Sequence, residues 1–125
     1  MSFSDHSLIL KNDGTLWECG YNEFGQLGLG DNTNRTTFTQ VTTNVGDIKQ
    51  VYCGFNHTFI LKNDGTLWSC GYNEQGQLGL GDDTNRTTFT QITTNADDIK
   101  EIYCGKNNRS ILENESRNRI SRGLG

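Results

Sequence analysis

The chain has 125 residues, a formal net charge of −4 and only 32% hydrophobic residues, with 15 glycines and no proline. That is too few apolar residues for one large core, and it suits small β units joined by many turns. The mild acidity argues against wrapping a phosphate backbone, which needs clustered Lys and Arg, and no stretch approaches the ~20 apolar residues that span a bilayer.

In chain order, Met1-Ser2-Phe3-Ser4-Asp5 lacks a basic region followed by an apolar run, so no secretory signal is expected. The expected location is the cytoplasm, or a released or virion-associated state without a signal peptide. His6-Ser7-Leu8-Ile9-Leu10 is short and β-rich. Lys11-Asn12-Asp13-Gly14 gives a tight turn, with Gly14 free to take a positive φ. Thr15–Cys19 is the return strand, and its alternation puts Leu16 on one face and Trp17 and Cys19 on the other. The run from Gly20 to Gly30 is too glycine-rich for a helix and reads as a structured loop with Leu27 and Leu29 tucked inward. Asp31-Asn32-Thr33-Asn34 continues the turn, because Asx side chains bond their own backbone. Thr37–Thr42 reads as a third strand and Ile48–Cys53 as a fourth.

The whole pattern then recurs. His6–Gly54 matches His57–Gly105 at an offset of 51 residues without a gap, with about four positions in five identical. Most changes are mild, such as Leu8 to Phe59, Val41 to Ile92 and Val51 to Ile102; Phe24 to Gln75 and Gly46 to Asp97 are less so. A period of ~50 residues holding four short strands is the make-up of a propeller blade. The predicted fold is all-β: two four-stranded β-propeller blades forming a partial propeller. The units are 1–54, 55–105 and a degenerate third start with tail over 106–125.

The run GFNHTFILKNDGTLWSCGYNEQGQLGLGD, Gly54 to Asp82, resembles the repeat of the regulator-of-chromosome-condensation family. Both halves of that repeat are present in order: Gly-x-x-His-Thr leading into a hairpin, then Gly-Gln-Leu-Gly-x-Gly. The resemblance covers about residues 5 to 105 and implies a β-propeller with a binding role. In the family that role includes small-GTPase nucleotide exchange with chromatin docking, ubiquitin-ligase accessory domains and enzyme inhibition. The near-identical adjacent copies resemble most the tandem runs of bacterial and phage surface or tail proteins. The chain departs from the family at Phe38 and Phe89, where a proline is common, and at Cys19 and Cys70, where an aromatic is common. A third copy starts at Ile102-Tyr103-Cys104-Gly105 and then decays.

Two blades leave both ends of the stack open, and repeat units need neighbours to bury their faces. Three arrangements meet that need: a ring of several copies, a place within a longer gene product, or completion of a partner's partial propeller.

The residues that could carry chemistry have structural readings beside the functional ones. Cys19, Cys53, Cys70 and Cys104 show no C-x-x-C ligand spacing and read as buried, reduced small hydrophobes, with a Cys53–Cys70 disulfide left open for an exported chain. His6 and His57 occupy one repeat position, and the acid beside His6, Asp5, becomes Asn56 in the second copy. The resemblance implies a packed histidine, hydrogen-bonded within its blade. GQLGLG lacks the Lys-Ser/Thr of a phosphate loop, so its glycines read as allowing close backbone packing. Asp31–Asn34 and Asp82–Asn85 miss the closing Glu of a calcium loop and read as turns. Trp17 and Trp68 read as core, and the arginines of residues 106–125 as a solvated end.

No catalytic, metal or cofactor residues are assigned, and no enzyme is expected. The expected function is a protein- or surface-binding module. Its candidate contacts are Tyr21, Asn22, Glu23 and Phe24 with their copies Tyr72, Asn73, Glu74 and Gln75, because loops on a rigid scaffold carry recognition. The partner is expected to be a protein or cell-surface ligand, or a second copy, with no nucleic acid and no membrane. Two alternatives are a small-GTPase guanine-nucleotide exchange regulator and a structural element of a phage tail or cell-surface fibre.

Overall fold

The computed structural model describes residues 5–94, 96, 99, 101–104 and 109–112, the last two groups as backbone with the side chain of Ile102. The described residues contain nine strands and no helix: β1 His6–Leu10, β2 Leu16–Gly20, β3 Arg35–Val41, β4 Ile48–Cys53, β5 His57–Lys62, β6 Leu67–Gly71, β7 Arg86–Ile92, β8 Glu101–Cys104 and β9 Arg109–Leu112. They form three antiparallel sheets, β1-β2-β3, β4-β5-β6-β7 and β8-β9.

Turn chemistry written into the sequence makes the β1–β2 hairpin. Gly14 takes φ 89°, and its amide donates to the Lys11 carbonyl at 2.9 Å. The Asp13 carboxylate accepts from the Thr15 amide and hydroxyl at 3.0 and 2.7 Å. The Thr15 hydroxyl in turn accepts from Trp17 Nε1 at 2.8 Å. These bonds hold the Asp13 carboxyl below its ordinary range, first through the Thr15 hydroxyl. Asp64, Thr66 and Trp68 repeat the arrangement.

The sheets are one strand out of phase with the expected units. Ile48–Cys53, read above as the fourth strand of the first unit, is the first strand of the second sheet; the first sheet has three strands. The cause is connection length. Only three residues separate β4 from β5, and Gly54 N closes on His57 O at 2.8 Å, fixing the register from Cys53↔Thr58 to Ile48↔Lys62. The third strand also begins earlier than expected, at Arg35, and ends at Val41.

Each sheet buries a face against the next. Leu16 and Val41 of the first sheet pack with Ile60, Cys70 and Phe89 of the second, joined by half-buried Leu8, Leu29, Val51 and Trp68. The second sheet's other face, Phe59, Leu61, Leu67 and Ile92, packs on Ile102 and half-buried Ala96 and Ile99. Burying each large side chain contributes about 1.5–3 kcal/mol. Covered on both faces, β5 is buried without a break from His57 to Leu61. Its copy β1, covered on one face, alternates instead.

The loop after β2 sets how closely the sheets approach. Gly30 N donates to Thr87 O at 2.9 Å. A Cβ at Gly25 would lie 2.6 Å from Arg86 O, and one at Gly28 2.6 Å from Phe89 Cε2. The glycines thus allow the close backbone approach expected from the sequence. Asn44 Nδ2 adds a bond to Phe89 O at 2.9 Å, and Thr58 Oγ1 donates to Gln26 O at 2.7 Å.

The cysteine expectation needs correction at Cys53, which is exposed; Cys19 is half-buried and Cys70 is buried, and the thiols are reduced. Cys53 and Cys70 flank Thr58 on neighbouring strands. They therefore stand two strand spacings, about 10 Å, apart, beyond the ~7 Å Cα limit for a disulfide. The side chain of Cys104 and most of the 106–125 unit lie outside the described residues.

Candidate functional site

The two candidate loops are built alike, each around a buried asparagine. Asn22 Nδ2 donates to Asp31 O at 3.0 Å, to Asp31 Oδ1 at 3.1 Å and to Thr33 O at 3.0 Å. Its Oδ1 accepts from Leu27 N at 2.9 Å, and its own amide donates to Asn34 Oδ1 at 2.6 Å. Asn73 makes the same set with Asp82, Thr84, Leu78 and Asn85. Arg35 pairs with Asp31 at 2.9 Å and Arg86 with Asp82 at 2.8 Å, closing each turn. Those arginines hold both aspartate carboxyls below the ordinary range. The Asp31 oxygens are thus committed to Arg35, the Thr33 amide and Asn22, which accounts for them as turn residues.

The eight candidate residues therefore divide. Asn22 and Asn73 are fully buried and organise the loops from within. Glu23, Glu74 and Gln75 are exposed, and Tyr21, Phe24 and Tyr72 are half-buried. The folded arrangement brings the aromatic members of both loops together. The Phe24 ring meets Tyr21 edge-on at 5.9 Å and reaches across the sheet boundary to Tyr72 at 4.7 Å. Tyr21 and Tyr72 hydroxyls donate to Glu23 and Glu74 at 3.0 and 3.4 Å. Partial desolvation and the neighbouring carboxylate raise both phenols above their ordinary range. The result is an aromatic ridge of three rings spanning two sheets, with acidic groups beside it.

His6 is placed differently from expectation. Its Nε2 lies 2.9 Å from Thr58 Oγ1 and 3.1 Å from Cys53 Sγ, both on the second sheet. The bond therefore runs between sheets and not within one. The Thr58 hydroxyl hydrogen goes to Gln26 O, so His6 Nε2 acts as donor to Thr58. His57 is buried and meets Phe59 edge-on at 5.6 Å. Trp17 and Trp68 are half-buried, each roofed by a lysine ammonium, Lys11 at 4.1 Å and Lys62 at 4.0 Å. Among the described residues no group of three or more His, Cys, Asp or Glu is placed to hold a metal ion.

Sequence reasoning missed Glu18. It is fully buried between the sheets, and neither carboxylate oxygen has a hydrogen-bond partner. Burial raises its pKa well above the ordinary value. Burial also raises the Cys70 thiol, with Glu18 adding to the effect. The signal was present: Glu18 shares the inward face with Leu16, and its copy is Ser69, whose hydroxyl donates to Leu78 O at 3.1 Å.

Family models of the regulator of chromosome condensation (RCC1) repeat match residues 13–61 and 64–109, and a second such model matches 48–77. The chain belongs to the RCC1 repeat family. It is 35% identical over 116 residues to the mouse X-linked retinitis pigmentosa GTPase regulator and 36% identical over 115 residues to human Protein RCC2. Each match takes in 90% of the RCC1-repeat chain but only 12% and 22% of the relative. Among solved structures it superposes on a chain of yeast RCC1 (Prp20) with bound Kap60, with a TM-score of 0.74 and 26% identity over 86% of this chain and 25% of that one. It also superposes on Prp20p from Saccharomyces cerevisiae, studied for binding to Gsp1p and histones, with a TM-score of 0.67 and 26% identity over 82% and 27%. These likenesses make the two larger sheets successive blades of a partial propeller.

Proposed function

We propose that the chain is a non-catalytic protein-binding propeller module whose contact surface is Tyr21, Glu23, Phe24, Tyr72, Glu74 and Gln75. The observation that carries this is the 4.7 Å contact of Phe24 with Tyr72. It joins the two loops into one ridge, anchored from below by buried Asn22 and Asn73. Rigid aromatic anchors beside polar rims are what interface hot spots are made of. Exposed Glu23 and Glu74 favour a partner with Lys or Arg around an apolar patch. Relatives that bind proteins, such as Prp20p with Gsp1p and histones, support a protein partner over a cell-surface ligand.

The test is affinity capture of a partner followed by calorimetry. Phe24→Ala is expected to weaken binding by roughly tenfold or more. Unchanged binding after replacing all six residues rejects the surface.

A second reading, a GTPase exchange regulator, draws support from the GTPase regulator among the relatives. Accelerated nucleotide release from a small GTPase upholds it; release at the uncatalysed rate rejects it.

A further inference from the structure

Ile9 and Phe38 repeat Ile60 and Phe89, yet they are 38% and 42% exposed where their copies are fully buried. The first blade covers the second-blade pair; among the described residues nothing covers the matching face of the first blade. The loops show the complementary asymmetry. Gly25 presses on β7, but among the described residues a Cβ at its copy Gly76 meets nothing closer than Asp82 O at 4.0 Å. Gly76 and Gly81 nonetheless hold φ of 75° and 88°, against 83° and 88° at Gly25 and Gly30. The second loop thus keeps the backbone conformation of the first, beside an open cleft of about 540 Å³ lined by Glu74, Gln75, Gly76, Gly81, Asp82 and Asp83.

We propose that these surfaces fit each other, so that a second copy of this chain docks its first blade onto the second blade, head to tail. The interface inside the chain is the template, because the residues that make it recur on the outer faces of both blades; on the second blade Phe59, Leu67 and Ile92 are already buried against the chain's own Ile102, Ala96 and Ile99, so docking must replace part of that cover. Leu67 and Ile92 repeat Leu16 and Val41 on the receiving side, and Ile9, Cys19 and Phe38 repeat Ile60, Cys70 and Phe89 on the incoming side. Ser7 keeps the hydroxyl with which Thr58 reaches the Gln26 carbonyl.

Strand pairing points the same way. Among the described residues β1 has β2 on one edge and no strand on the other, where β4 pairs with β5 in the second sheet. β8, Glu101-Ile102-Tyr103-Cys104, repeats Gln50-Val51-Tyr52-Cys53 of β4. In the β4–β5 register it would oppose Ser7, Leu8, Ile9 and Leu10 of the incoming copy. Within one chain β8 instead pairs β9, through Cys104↔Arg109, Tyr103↔Ser110, Ile102↔Ile111 and Glu101↔Leu112. β9 is the poorer match at two register positions: Arg109 replaces a hydroxyl residue and Ser110 replaces an apolar one. The second copy's β1 therefore displaces β9 by strand addition, a heterologous contact that makes a ring if its rotation closes.

This inference needs no partner, so its failure is distinct from failure of the binding surface. The test is the solution mass of the full chain by light scattering across a dilution series. Wild type is expected as multiples of the 14.0 kDa chain that dissociate on dilution. Phe38→Asp, at an exposed site, is expected to be monomeric with an unchanged circular-dichroism spectrum; should it unfold, Ile9→Lys takes its place. Added in small amount, that variant lowers the mass of wild type, because it keeps the receiving surface and caps assemblies. Arg109→Thr combined with Ser110→Phe strengthens β9 and lowers the oligomer fraction. A wild-type monomer at high micromolar concentration overturns the proposal and leaves the face to another occupant. So does an oligomer that survives Phe38→Asp, a capping variant without effect, or a β9 variant that assembles like wild type.

Discussion

Gly28 and Phe89 meet where the two blades join: a Cβ on Gly28 would lie 2.6 Å from Phe89 Cε2. Gly28 also has φ 71°, and Gly14 has φ 89° with nothing within 4 Å of its Cβ position. Alanine at Gly14 therefore brings backbone strain alone, and alanine at Gly28 brings strain plus a collision with a buried ring. By urea denaturation, Gly14→Ala is expected to cost about 1–2 kcal/mol and Gly28→Ala about 3 kcal/mol or more. Equal losses would mean that the blade contact is absent.

Glu18 gives the chain an unusual pH dependence. Its carboxyl keeps a proton in the folded state that the unfolded chain releases near the ordinary value of 4.5. The folded chain then binds more protons, so stability falls as pH rises from about 4.5 through the raised folded pKa. Glu18→Ser, the residue found at position 69, removes this loss. It is expected to add about 1–3 kcal/mol at neutral pH, raising the melting temperature by several degrees. Asp13, Asp31, Asp64 and Asp82 have lowered pKa values and act in the opposite sense, losing their contribution on acidification. They are common to both proteins, so the difference between the two melting curves reports Glu18. A variant curve parallel to wild type from acid to neutral pH would contradict this account.

The hairpins were legible because their turns are chemical: Asp13 and Thr15 fix the backbone within five residues, and Gly14 supplies the left-handed φ. The inward glycine loop was legible for the same local reason. Ile48–Cys53 by itself fits either neighbouring sheet, and the three-residue link to His57, closed by Gly54 N on His57 O, decides that it pairs forwards. Other features depend on contacts far apart in sequence. The bond of His6 to Thr58 spans 52 residues. Among the candidate contacts, Tyr21 and Asn22 looked alike in a polar loop; only the carbonyls of Asp31 and Thr33 pull Asn22 inside. Glu18 was readable from strand alternation and the Ser69 substitution, but its missing hydrogen bonds were not.

Asn22 holds its loop with bonds from both ends of its amide. Asn22→Ala leaves the Leu27 amide and two carbonyls without those partners, so a loss of about 3 kcal/mol is expected. Thermal melting checks the loss, and hydrogen exchange at the Leu27 amide should speed up. Asn22→Ala that melts like wild type would remove Asn22 as the organiser.

Everything rests on which face of the second blade meets the first. Nuclear Overhauser contacts between side chains in the isolated chain read this most directly. The account expects Leu16 and Val41 methyls to contact Ile60 and the Phe89 ring. Contacts from Leu16 to Leu67 or Ile92, which lie on the second blade's opposite face, would contradict it.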